Sequence, residues 1–124
     1  MLVFLKKRIQ SFVFAGQGLG YLFKTQHNAQ IHALMTILAI LAGFIFKLSS
    51  SEWCMVCLSI GLVIAVEGFN TALESLTDLV SPEYHHLAKI TKDVASGAVL
   101  ITALTAFVIG FIIFLPKVIG VLGY

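Results

Sequence analysis

Three long apolar runs constrain this 124-residue chain more than anything else in it. Ala29 to Phe46 carries no formal charge with His32 neutral, Trp53 to Leu73 carries one, at Glu67, and Val94 to Leu115 carries none. A helix needs roughly 20 residues to cross the hydrocarbon core of a bilayer, and each run meets that length. Lipid offers no hydrogen bonds, so such runs satisfy their backbone as helices and not as open strands. The composition agrees, with 59% hydrophobic and 11% charged residues, too little charge to coat a soluble domain. The expected fold is an all-α integral membrane protein with spans over about 29–47, 53–75 and 94–115.

The basic cluster Lys6-Lys7-Arg8 precedes no short apolar core with a cleavage site, so the first segment does not read as a signal peptide. Ile9, Phe12, Val13, Gly16, Gly20 and Phe23 recur on one side at helical spacing, with Gln10, Gln17 and Lys24 towards another. That pattern predicts an amphipathic helix over about 5–25, lying in the membrane interface. Gly16, Gly18 and Gly20 argue against its regularity. Lys6, Lys7, Arg8 and Lys24 share a side with Lys89 and Lys92 if there are three spans, which puts the N-terminus in the cytoplasm. Lys47 and Lys117 fall on the other side, where Trp53 would mark the outer interface. Cys54 and Cys57 lie one helical turn apart without further metal ligands and read as packing residues. The one polar connection of any length is expected from Asp78 to Asp93, broken at Ser81-Pro82. The whole of 1–124 reads as a single domain.

Glu67 stands deep in the second run, where a carboxylate costs several kcal/mol and marks function by default. Asn70, Thr71, Glu74 and Asp78 follow it at offsets of about 3, 4, 7 and 11, which fall on one helix face. Glu67 and Glu74 are then roughly 10 Å apart along the axis. Asn70 and Thr71 alone would suit helix-to-helix hydrogen bonding. Three carboxylates suit it poorly. The small run Ala95-Ser96-Gly97-Ala98 allows a close helix approach that would bring Lys92 to this stripe. Carboxylates facing a lysine suit a nucleotide: the carboxylates hold Mg²⁺, the metal bridges phosphates, and the lysine neutralises their charge. There is no G-x-x-x-x-G-K-[ST] loop, and Gly16-Gln17-Gly18-Leu19-Gly20 is not a dinucleotide fingerprint.

These residues resemble the prokaryotic diacylglycerol kinase family, which includes undecaprenol kinases. The resemblance runs over nearly the whole chain. It is strongest in Glu67-Gly68-Phe69-Asn70-Thr71-Ala72-Leu73-Glu74, in Asp78-Leu79-Val80-Ser81-Pro82-Glu83-Tyr84-His85, and from Ala88 to Val99. It implies a homotrimer of three-span protomers in the bacterial inner (cytoplasmic) membrane, with active sites shared between neighbours on the cytoplasmic side. It implies Glu67 as catalytic base, Asn70 as the residue that orients the reacting groups, and Glu74 as a magnesium ligand. Glu83, Tyr84 and His85 match the segment near the nucleotide base and ribose, and Lys92 and Asp93 the pair at the phosphates and sugar. Lys7 and Phe14 match the ATP contacts of the N-terminal helix. Trp53, Glu67 and Ser96 are assigned to the lipid. One departure stands out: where the family carries a second metal-binding Glu, this chain has Gln26, whose amide oxygen can coordinate but brings no charge.

The expected activity is ATP- and Mg²⁺-dependent phosphorylation of the hydroxyl of a membrane lipid, either diacylglycerol or undecaprenol. Ser81 to His85 and Phe114 to Lys117 lean towards undecaprenol. No nucleic acid is expected. His85 is assigned near the nucleotide, and His27, His32 and His86 to the interface. A small proton-coupled exporter would explain Glu67 but not Glu74, Lys92 and Asp93 at one end. A non-catalytic membrane subunit is the third reading.

Overall fold

In the computed structural model, which describes residues 1–123, the chain forms four helices: α1 (Leu2–Thr25), α2 (His27–Ile45), α3 (Ser50–Val80) and α4 (His86–Val121). The last three are long and apolar enough to cross a membrane. At 1.5 Å per residue, the 31 residues of α3 and the 36 of α4 reach about 46 and 54 Å. A hydrocarbon core is about 30 Å thick, so both helices outrun it.

Two boundaries differ from the sequence reading. The connection expected over 78–93 shrinks to Ser81–His85, because α4 begins eight residues before the apolar run. Ser81-Pro82 stops α3, and His85 caps α4 by accepting the Leu87 N–H on its side chain. Lys89 then pairs with Asp93 one turn on. At the far end α4 continues through Pro116 to Val121, past the expected stop at 115. The glycines do not interrupt α1, which is one helix.

A tight turn joins α2 to α3. Leu48 N–H bonds to the Gly43 carbonyl and Lys47 N–H to that of Phe44, with Lys47 at φ 51°. This is a Schellman stop with lysine in the left-handed position that glycine normally takes. The next residue, Leu48, is buried with Val56 and Ile113, and Trp53, Ile60, Ile109 and Phe114 pack against them. Ser49 and Glu52 then start α3 with a capping box. Gly43 permits this turn to close. A Cβ there would stand 2.6 Å from the Trp53 ring. Gly43→Ala should therefore destabilise the protein by about 1–3 kcal/mol, as overpacking does, read as a lower unfolding temperature in detergent. An unchanged temperature would mean that the Trp53 ring moves freely.

α3 and α4 form the dominant pair and run antiparallel. Ion pairs tie both ends, Lys117 to Glu52 at 3.0 Å beside the turn and Lys92 to Asp78 at the opposite end. That register sets Ala95 at the level of Glu74, and Val99 at the level of Asn70 and Thr71. Ala95 and Val99 are both buried. α2 packs on α3, and α1 reaches α2 and α3 only near its C-terminus, where Leu22 is buried. Most large apolar side chains, including Phe69, Phe107 and Phe111, are exposed on the protomer. Bilayer-facing helices carry such a surface. Cys54 and Cys57 share it: both are free and exposed, so they are not packing residues within the chain.

Candidate active site

At the turn end, apolar side chains form the core around α3. At the other end, polar groups do. Glu67 is 2% exposed, and Asn70 and Thr71 are 7% exposed each. They are the buried polar residues among those described. The face predicted from the spacing is therefore turned inward, and it grades outward through half-buried Glu74 to exposed Asp78. Asn70 Nδ2 donates to Glu74 Oε1 at 3.2 Å, which links the buried part of the stripe to the accessible part.

Three atoms in this cluster have no hydrogen-bond partner: Glu67 Oε2, Asn70 Oδ1 and Thr71 Oγ1. Buried polar atoms are nearly always paired, so three unpaired atoms on adjacent turns mark a place where a further polar group can bond. Carboxylate, amide oxygen and hydroxyl together can accept a proton, accept a hydrogen bond and donate one. The set suits a small hydroxylic group.

α4 supplies the cation. Lys92 donates to Asp78, and this bond is the main cause that holds its ammonium above the usual lysine range. Both groups are partly open to water, so screening keeps the pair weak and an incoming phosphate can compete for the lysine. Asp93 points to Lys89 instead. Glu83 and Tyr84 are exposed in the short connection, and His85 spends one ring nitrogen on its cap. Ser96 lies exposed beside buried Ala95. Lys7 and Phe14 are exposed on the part of α1 that touches nothing else in the protomer, so a single chain does not bring them to the stripe. Trp53 is fourteen residues, or roughly 21 Å, from Glu67 along α3. It lines an apolar cleft of about 530 Å³ with Ile40, Phe44, Cys57, Ile60 and Gly61. Trp53 thus lies well away from the buried carboxylate.

His32 is a neighbour the sequence reading left at the interface. It is half-buried on α2, the helix that packs on α3 beside Glu67. The separation of 35 positions hides this proximity until α2 and α3 are folded together.

No group of three His, Cys, Asp or Glu side chains able to hold a metal exists among the described residues. Magnesium does not require one, since it keeps several waters and binds through one or two carboxylates plus phosphate oxygens. Glu74 has one oxygen bonded to Asn70 and the other free. Gln26 donates its amide nitrogen to Thr25 at 3.1 Å, which leaves its carbonyl oxygen available. These donors fit a magnesium ion carried mainly by nucleotide phosphates.

Comparison with known proteins bears on this arrangement. The family model for prokaryotic diacylglycerol kinase matches residues 13–114, a stretch that holds the whole polar stripe and Lys92. An undecaprenol kinase of Bacillus subtilis is 41% identical over 113 residues, covering 91% of this chain and 92% of that one. A diacylglycerol kinase of Synechocystis is 40% identical over 113 residues, covering 90% of this chain and 65% of that one. A diacylglycerol kinase of Escherichia coli is 42% identical over 50 residues, 40% of this chain and 41% of that one. The chain thus belongs to the prokaryotic diacylglycerol kinase family.

Proposed function

We propose that the protein transfers the γ-phosphoryl group of ATP to the hydroxyl of a membrane lipid, with undecaprenol as the preferred acceptor. The observation that carries this reading is the buried, unpartnered Glu67 at the closed end of a polar stripe whose open end holds Glu74 and faces Lys92. The preference for undecaprenol rests on the relative of that name, which matches along nearly its full length. Diacylglycerol is the second reading, favoured by the Synechocystis relative of similar identity.

In this mechanism the lipid enters from the side, its chains along the apolar cleft at Trp53 and its hydroxyl at Glu67. The lipid O–H bond breaks and its proton passes to the Glu67 carboxylate. The freed oxygen bonds to the γ-phosphorus, and the bond from that phosphorus to ADP breaks. Asn70, fixed by its bond to Glu74, sets the geometry between base and phosphate. Lys92 leaves Asp78 to balance charge on the phosphoryl group. Magnesium held by Glu74, with Gln26 as a neutral contact, would supply further charge neutralisation at the phosphates. Asp93, Glu83, Tyr84 and His85 border the nucleotide, and Ser96 and Trp53 the lipid.

Lys7 and Phe14 reach a nucleotide only if α1 lies on the membrane surface beside a neighbouring protomer. The reading therefore includes an interfacial α1, a homotrimer with shared sites, and a single lipid kinase domain over 1–124. It sets this domain in the bacterial inner membrane with the site on the cytoplasmic side. Lipid competition tests the acceptor: with both lipids present at equal mole fraction, phosphate should appear mainly in undecaprenyl phosphate. Mainly phosphatidic acid would reverse the assignment.

Gln26 provides a test of the metal contacts. An amide gives an ion–dipole contact, whereas a carboxylate adds a full charge beside the cation. Gln26→Ala should lower activity only a few-fold, roughly the value of one neutral contact, and Gln26→Glu should lower the magnesium needed for half-maximal rate. Magnesium titrations of both variants check this. A collapse in Gln26→Ala as deep as in Glu74→Ala would make the amide an essential ligand.

A further inference from the structure

Thr71 has no role in the mechanism above, yet its buried hydroxyl lacks the bond that most threonines in this fold make. Thr25, Thr77, Thr91 and Thr105 each donate to the carbonyl four residues back, at 2.7–2.9 Å. This is the usual resting place of a hydroxyl inside a helix. Thr71 is buried in the middle of α3, and its Oγ1 makes no such bond and no other. A stranded hydroxyl costs free energy that a methyl group of the same shape would not.

The position of Thr71 supplies a use for this hydroxyl. It stands four residues after Glu67, so the two Cβ atoms are neighbours on one face, about 5–6 Å apart. Glu67 Oε2 is also buried and also lacks a partner. Side chains at that spacing can both reach a single oxygen atom placed on their shared face.

We propose that Thr71 is a further residue of the acceptor site, where its hydroxyl donates a hydrogen bond to the hydroxyl oxygen of the lipid while that oxygen donates to Glu67. The inference rests on the lipid-kinase reading. An alcohol oxygen has one proton and two lone pairs. With the proton on Glu67 and one lone pair on Thr71, the remaining lone pair has a single direction, and only that pair attacks phosphorus. Thr71 thereby selects the attacking geometry. Asn70 Oδ1, the third orphan, lies on the adjacent position and stays free to accept from a bound group.

Full-length protein reconstituted with ATP, magnesium and undecaprenol, or diacylglycerol in a parallel arm, tests this with two variants. Thr71→Val removes the hydroxyl at nearly constant shape, and Thr71→Ser keeps it. Loss of one hydrogen bond to a group that develops charge corresponds to roughly 10- to 100-fold in kcat. Thr71→Val should show that loss with KM for ATP unchanged and with an unfolding temperature equal to the parent or higher, since an unpartnered polar group has gone. Thr71→Ser should stay within about threefold of the parent, well short of the loss of one such bond. The proposal is overturned if Thr71→Val turns over like the parent, if it unfolds at a lower temperature, or if Thr71→Ser falls as far as Thr71→Val. A parent that phosphorylates neither lipid overturns the lipid-kinase reading and this inference together. An active parent with an unaffected Thr71→Val overturns this inference alone.

Discussion

Glu67→Gln should leave a folded, assembled protein whose lipid phosphorylation falls by roughly 100- to 10,000-fold, the range that a positioned general base contributes. Glutamine keeps the shape and one acceptor oxygen but cannot take the proton of the lipid hydroxyl. The substitution also removes a buried carboxylate with an unpartnered oxygen, so stability should hold or rise. Turnover and thermal unfolding measured on the same preparation separate the two effects. Near-normal turnover would remove Glu67 from the chemistry. A collapse of stability would show that its carboxylate holds the fold.

Glu74→Ala is the second large effect, and it should differ in kind. Glu74 sits half-buried, about two turns from Glu67, with one oxygen bonded to Asn70 and one free. Its loss should raise the magnesium concentration for half-maximal activity about tenfold or more, since even outer-shell partners of a metal are worth that much. It also frees the Asn70 amide, so kcat should fall even at saturating magnesium. KM for the lipid should change little, because the lipid hydroxyl lies at the closed end of the stripe. An unchanged magnesium curve would take Glu74 out of the metal site and leave it as a holder of Asn70.

The site was legible in the sequence to the extent that one helix encodes it. Glu67, Asn70, Thr71 and Glu74 share a face by spacing alone, and the apolar residues around Glu67 announce that the face is costly. The structure turns the same face inward. What was hidden depends on contacts between helices or on side-chain rotation. His32 reaches Glu67 only through the packing of α2 on α3. The link of Lys92 to Asp78 was expected as a general approach of α4 to the stripe, but its partner follows from the α3–α4 register. The stranded hydroxyl of Thr71 looks in the sequence like any other helical threonine.

The elements show the same division. Hydropathy located all three spans, because apolar runs are what a bilayer selects. The helices run beyond those apolar runs, because their ends lie outside the apolar zone and obey local rules. Ser49 to Glu52 carries a capping-box signature that starts α3 before the expected 53. His85 starts α4 well before 94. Lys47 in a left-handed stop could not be read from its residue type, since lysine rarely takes that conformation. Trp53, expected at the outer interface, also closes the α2–α3 turn against Gly43, a contact its spacing does not announce.

The most direct test of the account is transfer of labelled γ-phosphate from ATP into extractable lipid by the purified protein, with magnesium and with undecaprenol or diacylglycerol as acceptor. The account predicts label in at least one of the two lipids, dependent on magnesium and nearly absent in Glu67→Gln. A folded protein that labels neither lipid, or labels one equally well with Glu67→Gln, would contradict it.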